Sequence, residues 1–405
     1  LNILITGITG MHNRGVEAFV IPTIEQLRQR NPEIEISLLT PTPDYDKIRL
    51  QNYNVNLELE SKHLQTLPQS RKKHLLAKLL PFYKLPLTSP LIRNASAVIA
   101  SGGDVFSPEY DISPHLKPLK LALEAGVSVI FLAQSISPYK TDEQTESWLE
   151  VARYSKLITV RERLTYKYLT QDLGLSPELV KLTADPAFLL PASPVEQVNN
   201  MLKSYGIKGD RPMVAISTSQ GICGYALGLD YSQHLEAWKK VVMMILDELD
   251  AEVLIIPHVQ KPVPKSDDRI LATLLLRELN YNPRVHIAGA DHTASEFKGL
   301  ISACNLVIAE RTHAAIAGLC SEVCTVAVGY SVKAEGIMAD LVGSDLINQG
   351  LLIPIENFMN TKLACETIRD CWEKRQQVSL RIQNELPKVK DKASNNFDLL
   401  LEAIH

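Results

Sequence analysis

Short apolar runs alternate with longer stretches of amphipathic spacing from one end of the chain to the other. Asn2–Thr6 reads as a buried strand, residues 17–30 as a helix closed by Pro32, and residues 34–39 as the next strand. Ala97–Ala100 reads as a third strand that ends in Ser101-Gly102-Gly103-Asp104, followed by a helix over 116–125 and a strand over 127–133. A short strand at Leu157–Val160 precedes a helix over 165–173, with Gly174 as its cap. The second half repeats the pattern, with strands expected at 213–217, 253–257, 285–287, 306–309 and 325–328 and helices at 235–249, 267–279, 295–303 and 313–319. Strand, helix, strand in repetition predicts parallel βαβ units. The fold class expected is therefore α/β, with two doubly wound sheets in tandem.

Two prolines and several small residues between Leu190 and Gly209 mark the junction. This gives an N-terminal domain over 1–195, a C-terminal domain over 208–375 and a helical tail over 376–405. The segment from Asp44 to Leu91 shows little strand character and is basic around Arg71-Lys72-Lys73-His74. It reads as a helical insertion or a loop near the cleft, its charges on a solvated face.

The chain has 405 residues, 45% hydrophobic and 22% charged, the balance of a globular protein. Lys and Arg total 42 against 46 Asp and Glu, a formal charge of -4, which argues against a broad nucleic-acid footprint. No apolar run approaches the ~20 residues of a membrane span. Leu1–Ile5 is apolar but lacks a basic flank and breaks at Gly7, so no targeting signal is read and a cytoplasmic location is expected. The 6 cysteines all lie in the second half without a CxxC pair, which predicts free thiols in a reducing compartment.

Ligands of open α/β sheets bind beyond the carboxyl ends of the strands, so the loops there carry the candidate chemistry. The first, Gly7 to Glu17, includes Gly10, Asn13 and Gly15. It can offer backbone N–H groups to an anion, supply a turn with positive φ, or bind a polar substrate at the helix start. It is not GxGxxG and has no acidic residue placed for a ribose, which argues against a dinucleotide. In the second, Gly102-Gly103 permits close approach of a ligand, and Asp104 is a base, an acceptor or a helix cap. In the third, Arg161 stands one step beyond a strand, where its fork suits a carboxylate or phosphate, or an ion pair to Glu162 or Asp185.

The fourth loop is the most informative. A buried strand runs into Glu310-Arg311-Thr312-His313 and straight on into a small-residue helix. Arg311 and His313 at the positive end of a helix make a compact anion site with a proton-transfer group. In the fifth, Lys333 can reach a phosphate in the same cleft and Glu335 can hold it or an acceptor hydroxyl, unless both are plain surface charges. His258 ends another strand with Asp267-Asp268 nearby, but the spacing is not that of a metal-ligand set, and the aspartates read as helix caps. No metal site is expected, and no GxSxG elbow occurs.

In this order the pieces resemble the polysaccharide pyruvyl transferase family. The matching elements are Asn13-x-Gly15-x-Glu17-Ala18, Gly102-Gly103-Asp104, Val160-Arg161-Glu162 with Asp185-Pro186-Ala187-Phe188, Pro257-His258, and Arg311-Thr312-His313 with Gly318 and Lys333-x-x-Gly336. The resemblance implies two Rossmann-like domains in a GT-B-like arrangement. It implies phosphoenolpyruvate as co-substrate, with no other cofactor, and a carbohydrate or glycoside diol as acceptor, giving a cyclic pyruvate ketal and phosphate. Carried over, Arg161, Arg311, His313 and Lys333 bind the donor, and His313 transfers a proton in a direction left open. Asn13, Gly15, Glu17, Gly103, Asp104 and Glu335 lie on the acceptor side, with Asp104 or Glu17 as partner base. Val16 and Ser101 depart from the family pattern, on the acceptor side. The alternatives are a GT-B glycosyltransferase with a nucleotide-sugar donor and a non-catalytic carbohydrate-binding relative.

Overall fold

The computed structural model describes residues 1–64, 89–225, 230–329 and 332–404. The basic run 71–74 and residues Tyr330 and Ser331 lie outside the described residues.

The first sheet has seven parallel strands: β1 (Asn2–Thr6), β2 (Glu35–Thr40), β3 (Asn56–Leu59), β4 (Ala97–Ala100), β5 (Ser128–Gln134), β6 (Leu157–Val160) and β7 (Val180–Leu182), in the order β3-β2-β1-β4-β5-β6-β7. The second has six: β8 (Met213–Ser217), β9 (Glu252–Ile255), β10 (Val285–Ile287), β11 (Leu306–Ala309), β12 (Thr325–Gly329) and β13 (Leu352–Pro354), in the order β10-β9-β8-β11-β12-β13. Every residue of β4, β6, β8 and β11 is buried. Parallel strands covered by helices on both faces are buried and mostly apolar in this way.

Winding direction reverses between β1 and β4 in one sheet and between β8 and β11 in the other. Such switch points open a crevice at the strand ends. The glycine loop after β1 and Gly102-Gly103-Asp104 after β4 flank the first, while Ser217–Gln220 after β8 and Arg311-Thr312-His313 after β11 flank the second. The two Rossmann-like sheets are placed with these ends toward one another, in a GT-B-like arrangement.

Three strands differ from the expectation. β3 lies in the segment read as helix or loop, and β7 and β13 were not expected. All three are short sheet edges and only partly buried, since burial on both faces is not demanded there. The helical tail starts earlier than residue 376: one helix runs from Thr361 to Ile404. It leaves the second sheet and ends against the first, where buried Asn396 accepts from Thr159 Oγ1 at 2.6 Å and Thr183 Oγ1 at 2.8 Å and donates to the Ala184 carbonyl at 2.8 Å. The six cysteines are free thiols. Among the described residues no helix is long and apolar enough to cross a membrane.

A buried charge cluster ties the two sheets together. The helix Arg14–Arg30 starts against the loop after β9, where Arg14 N donates to His258 O at 3.1 Å and Gln260 N to His12 O at 2.8 Å. The fully buried Arg14 guanidinium donates to His292 O at 2.6 Å and pairs with Asp291. Glu17, also fully buried, takes Arg49 at 3.0 Å and the Ala294 N–H at 3.0 Å. The sequence reading of Glu17 as an acceptor-side residue is therefore corrected: its carboxylate is spent on two arginines and the opposite sheet's backbone, away from the cleft. Burial pushes the Glu17 pKa up while Arg49 and Arg14 pull it back.

Removing Glu17 leaves two buried guanidinium groups short of a partner. Glu17→Ala is expected to cost about 3–5 kcal/mol, read as a lower urea midpoint for the whole chain.

Candidate functional site

The strand ends enclose a cleft of about 320 Å³, the size of a small-molecule site. The first sheet contributes Asn13, Gly15, Gly103, Asp104 and Arg161 to its walls, and the second His258, Lys261, Arg311, His313 and Lys333. Of the residues assigned from the sequence to the donor or acceptor, two do not line it. Glu17 is buried in the interlobe cluster. Glu335 is exposed on the helix Val332–Val342, whose Lys333 end alone reaches the cleft, so its expected acceptor-side position is also corrected.

Each cation at the heart of the cleft is held by a carboxylate. Arg161 is 3% exposed; its Nε donates to Ser135 Oγ at 2.7 Å and one terminal nitrogen to Asp185 Oδ2 at 2.5 Å. Of the two ion-pair partners considered for Arg161, Asp185 is the one it takes, and the guanidinium still faces the cleft. Ser135 also donates its N–H to Gly103 O at 2.7 Å, so the arginine and the Gly-Gly-Asp loop share one support. Gly103 holds φ at +110°, a region that favours glycine.

Arg311 occupies the N-cap of the helix Thr312–Cys320, which no side chain caps. Its Nε and one terminal nitrogen reach the two oxygens of Asp268 at 3.0 and 2.6 Å. Asp268 also accepts from Gln220 N at 2.9 Å and Val259 N at 2.8 Å. Its reading as a helix cap is corrected: Asp267 caps the helix by accepting from Arg269 N, and Asp268 is the buried anchor of Arg311. Glu310 points the other way, taking Ser219 N at 2.6 Å, Trp238 Nε1 at 2.9 Å and His234 Nε2 at 2.6 Å. Burial opposes a charge on His234, but Glu310 outweighs it and holds the imidazole pKa up to about 10.

Lys333 crosses from the second sheet's side to pair with Asp104, which also accepts from Tyr110 OH at 3.3 Å. Burial would raise the Asp104 pKa, but Lys333 and then Arg161 bring it down to about 2. A carboxylate held that low is a weak proton acceptor. Of the readings open for Asp104, base, acceptor or helix cap, the structure shows it as a hydrogen-bond acceptor paired with Lys333.

His313 sits where the lobes meet. A Cβ on Gly15 would lie 2.4 Å from its Nδ1, so only glycine admits the imidazole there. Asn13 accepts the Gly15 N–H at 2.9 Å and fixes that turn. The other ring nitrogen, Nε2, is buried without a hydrogen bond and stands 3.7 Å from Asp185 Oδ2. Burial lowers the His313 pKa; Asp185 and Asp104 raise it, and Arg161 and Lys333 lower it further. His258, 3% exposed, is driven well below the usual imidazole pKa by burial and by His313, Arg311 and Arg14. Among the described residues no group of His, Cys, Asp and Glu forms a metal-ligand set.

Tyr110, His115 and Lys261 also line the cleft and carried no signal in the sequence, since Tyr110 and Lys261 lie in irregular loops and His115 near the start of an ordinary amphipathic helix. Asp185 follows the short edge strand β7; the sequence offered it as a partner for Arg161 but not as a neighbour of His313.

Comparison with known proteins shows what the chain is similar to. "Amylovoran biosynthesis protein AmsJ" of Erwinia amylovora is 21% identical over 95% of this chain and 96% of its own. UDP-GlcNAc 2-epimerase from Neisseria meningitidis, solved bound to UDP-GlcNAc, has the same fold at TM-score 0.62 and 11% identity, covering 99% of this chain and 100% of its own. A glycosyltransferase from Rickettsia africae aligns at TM-score 0.59 and 10% identity, over 99% and 98% of the two chains. Residues 13–332 match the model of the family described as polysaccharide pyruvyl transferase, and the chain belongs to that family.

Proposed function

We propose that the protein transfers the pyruvyl group of phosphoenolpyruvate to two hydroxyls of a carbohydrate or glycoside, forming a cyclic ketal and releasing phosphate. The observation that carries this reading is the convergence of Arg161, Arg311 and the unpartnered Nε2 of His313 on one interlobe cleft beside an uncapped helix start. Phosphoenolpyruvate bears a carboxylate and a phosphate on one small frame. Two anchored guanidinium groups, Lys333 and a helix N-terminus match that charge layout.

In the reaction, His313 donates a proton to the methylene carbon, which becomes the methyl group. The adjacent carbon takes up positive character and is attacked by the first hydroxyl, which loses its proton. Departure of phosphate and attack by the second hydroxyl, with loss of its proton, close the ring. A hydroxyl adding to so electron-poor a carbon becomes strongly acidic, so the weakly basic Asp104 suffices to orient it. Phosphoenolpyruvate is consumed as co-substrate, and the reaction as written needs no other cofactor. The competing reading, a nucleotide-sugar transferase, draws on the fold shared with the UDP-GlcNAc-bound epimerase.

Thermal shift distinguishes the two. Phosphoenolpyruvate is expected to raise the melting temperature where UDP-, GDP- and CMP-sugars do not; stabilisation by a nucleotide sugar alone rejects pyruvyl transfer. Mass spectrometry of candidate glycans incubated with phosphoenolpyruvate then looks for a gain equal to pyruvic acid less water.

Arg311→Lys keeps a positive charge but loses the two-pronged grip on Asp268. Its donor affinity is expected to fall by about 1.5–3 kcal/mol, roughly 10- to 150-fold, by calorimetry. Near-normal affinity would remove Arg311 from the donor site.

Burial holds His313 toward the neutral form, and an arriving anion favours the imidazolium. Donor binding is therefore expected to take up a proton. Affinity then strengthens as pH falls toward the free-enzyme pKa of His313, and calorimetry in buffers of different ionisation enthalpy reads the uptake directly. In His313→Gln the uptake should vanish.

A further inference from the structure

We propose that Asp185 is the positioning residue of the site, a single first-sheet carboxylate that fixes Arg161 and keeps the second sheet's His313 poised to give up the proton on Nε2. The inference rests on the proton-transfer role assigned to His313 above.

The geometry is specific. Asp185 follows β7 and is fully buried. Its Oδ1 accepts the Ala187 N–H at 2.8 Å, which locks the side-chain rotamer. Its Oδ2, buried behind the cleft wall, takes Arg161 at 2.5 Å and lies across the lobe boundary from His313 Nε2, 3.7 Å away. That separation is too long for a hydrogen bond, so the carboxylate does not capture the proton. It is short enough to favour the imidazolium electrostatically. The imidazole ring cannot swing away on its far side, because Nδ1 abuts Gly15.

The charged groups around the imidazole are otherwise mixed. Arg161 and Asp104 face it from the first sheet, and Lys333 from the helix Val332–Val342. His258 and Arg311 neighbour it on the second sheet's side, and the positive end of the helix Thr312–Cys320 lies at its own backbone. Burial, Arg161 and Lys333 all work against protonation, while Asp185 is the largest influence for it. Without that carboxylate the histidine stays neutral in a cleft lined by cations, and the proton needed at the methylene carbon is not loaded. Asp185 is also supplied by one lobe and His313 by the other, so the pairing exists only while the lobes are closed on each other.

The test is a titration of the full chain with isotopically labelled histidine, the His313 resonance being assigned by its loss in His313→Gln. Asp185→Asn preserves an oxygen for the Ala187 N–H and removes the charge. The His313 midpoint is expected to move to lower pH in this variant. In parallel, kcat at neutral pH should fall by about 100-fold or more and recover partly as the pH is lowered. Asp185→Ser, which also keeps a capping oxygen, serves the same purpose should the amide variant fail to fold. An unmoved His313 midpoint in a folded variant overturns the proposal, as does an activity loss that is the same at every pH. The titration needs no turnover. If the wild type neither binds nor uses phosphoenolpyruvate but the midpoint shifts as stated, the Asp185–His313 coupling stands and the pyruvyl-transfer reading is what fails.

Discussion

A cleft lined by buried cations must hold them in place whether or not a ligand is bound, and on the proposed reading the ligand is a small dianion. Three of the cations here are held by carboxylates: Arg161 by Asp185, Arg311 by Asp268 and Lys333 by Asp104. A buried cation alone would be costly, because its hydration is lost and nothing replaces it. The paired arrangement offsets that cost. Asp185 takes one terminal nitrogen of Arg161 and Asp268 takes two nitrogens of Arg311, so the direction of each guanidinium is fixed before a ligand binds.

The same pairing decides how the lobes are assembled. Asp185 and Asp104 belong to the first sheet's side, while His313 and Lys333 belong to the second's. The site is therefore complete only across the interface, and its geometry is as reliable as the interface is rigid. The buried Arg14–Glu17–Arg49 cluster and the long C-terminal helix, with Asn396 seated under β6, hold the sheets together at two separate places. Glu17 thus contributes to the site through the lobe geometry rather than through a contact with substrate.

The central strands were legible from their apolar runs, because a parallel strand covered on both faces admits few polar residues, and those such as Thr159 are hydrogen-bonded. The edges were not. Asn56–Leu59 and Val180–Leu182 alternate polar and apolar positions over a few residues, and nothing local separates such segments from loop. At the site, Arg161, Arg311 and His313 were legible because a charged residue directly after a buried strand has few other places to go. Their anchors were harder to find. Asp268 reads as a cap next to Asp267, and which of two adjacent aspartates turns inward depends on the helix phase relative to the loop after β8. Lys333 and Glu335 are two residues apart on a helix, which turns them about 200° from each other, so only one can face the cleft.

The histidine's environment ties these threads to the chemistry. A group that must deliver a proton to carbon at neutral pH has to carry one there while remaining willing to lose it. In this cleft burial, Arg161 and Lys333 make His313 willing, and Asp185 supplies the opposing influence. The donor's own negative charges would add to that side only when it is bound. On the proposed reading protonation is then linked to occupancy, because a bound anion shifts the imidazole toward its charged form. That linkage follows from the balance of charges around one ring, and the balance requires both lobes.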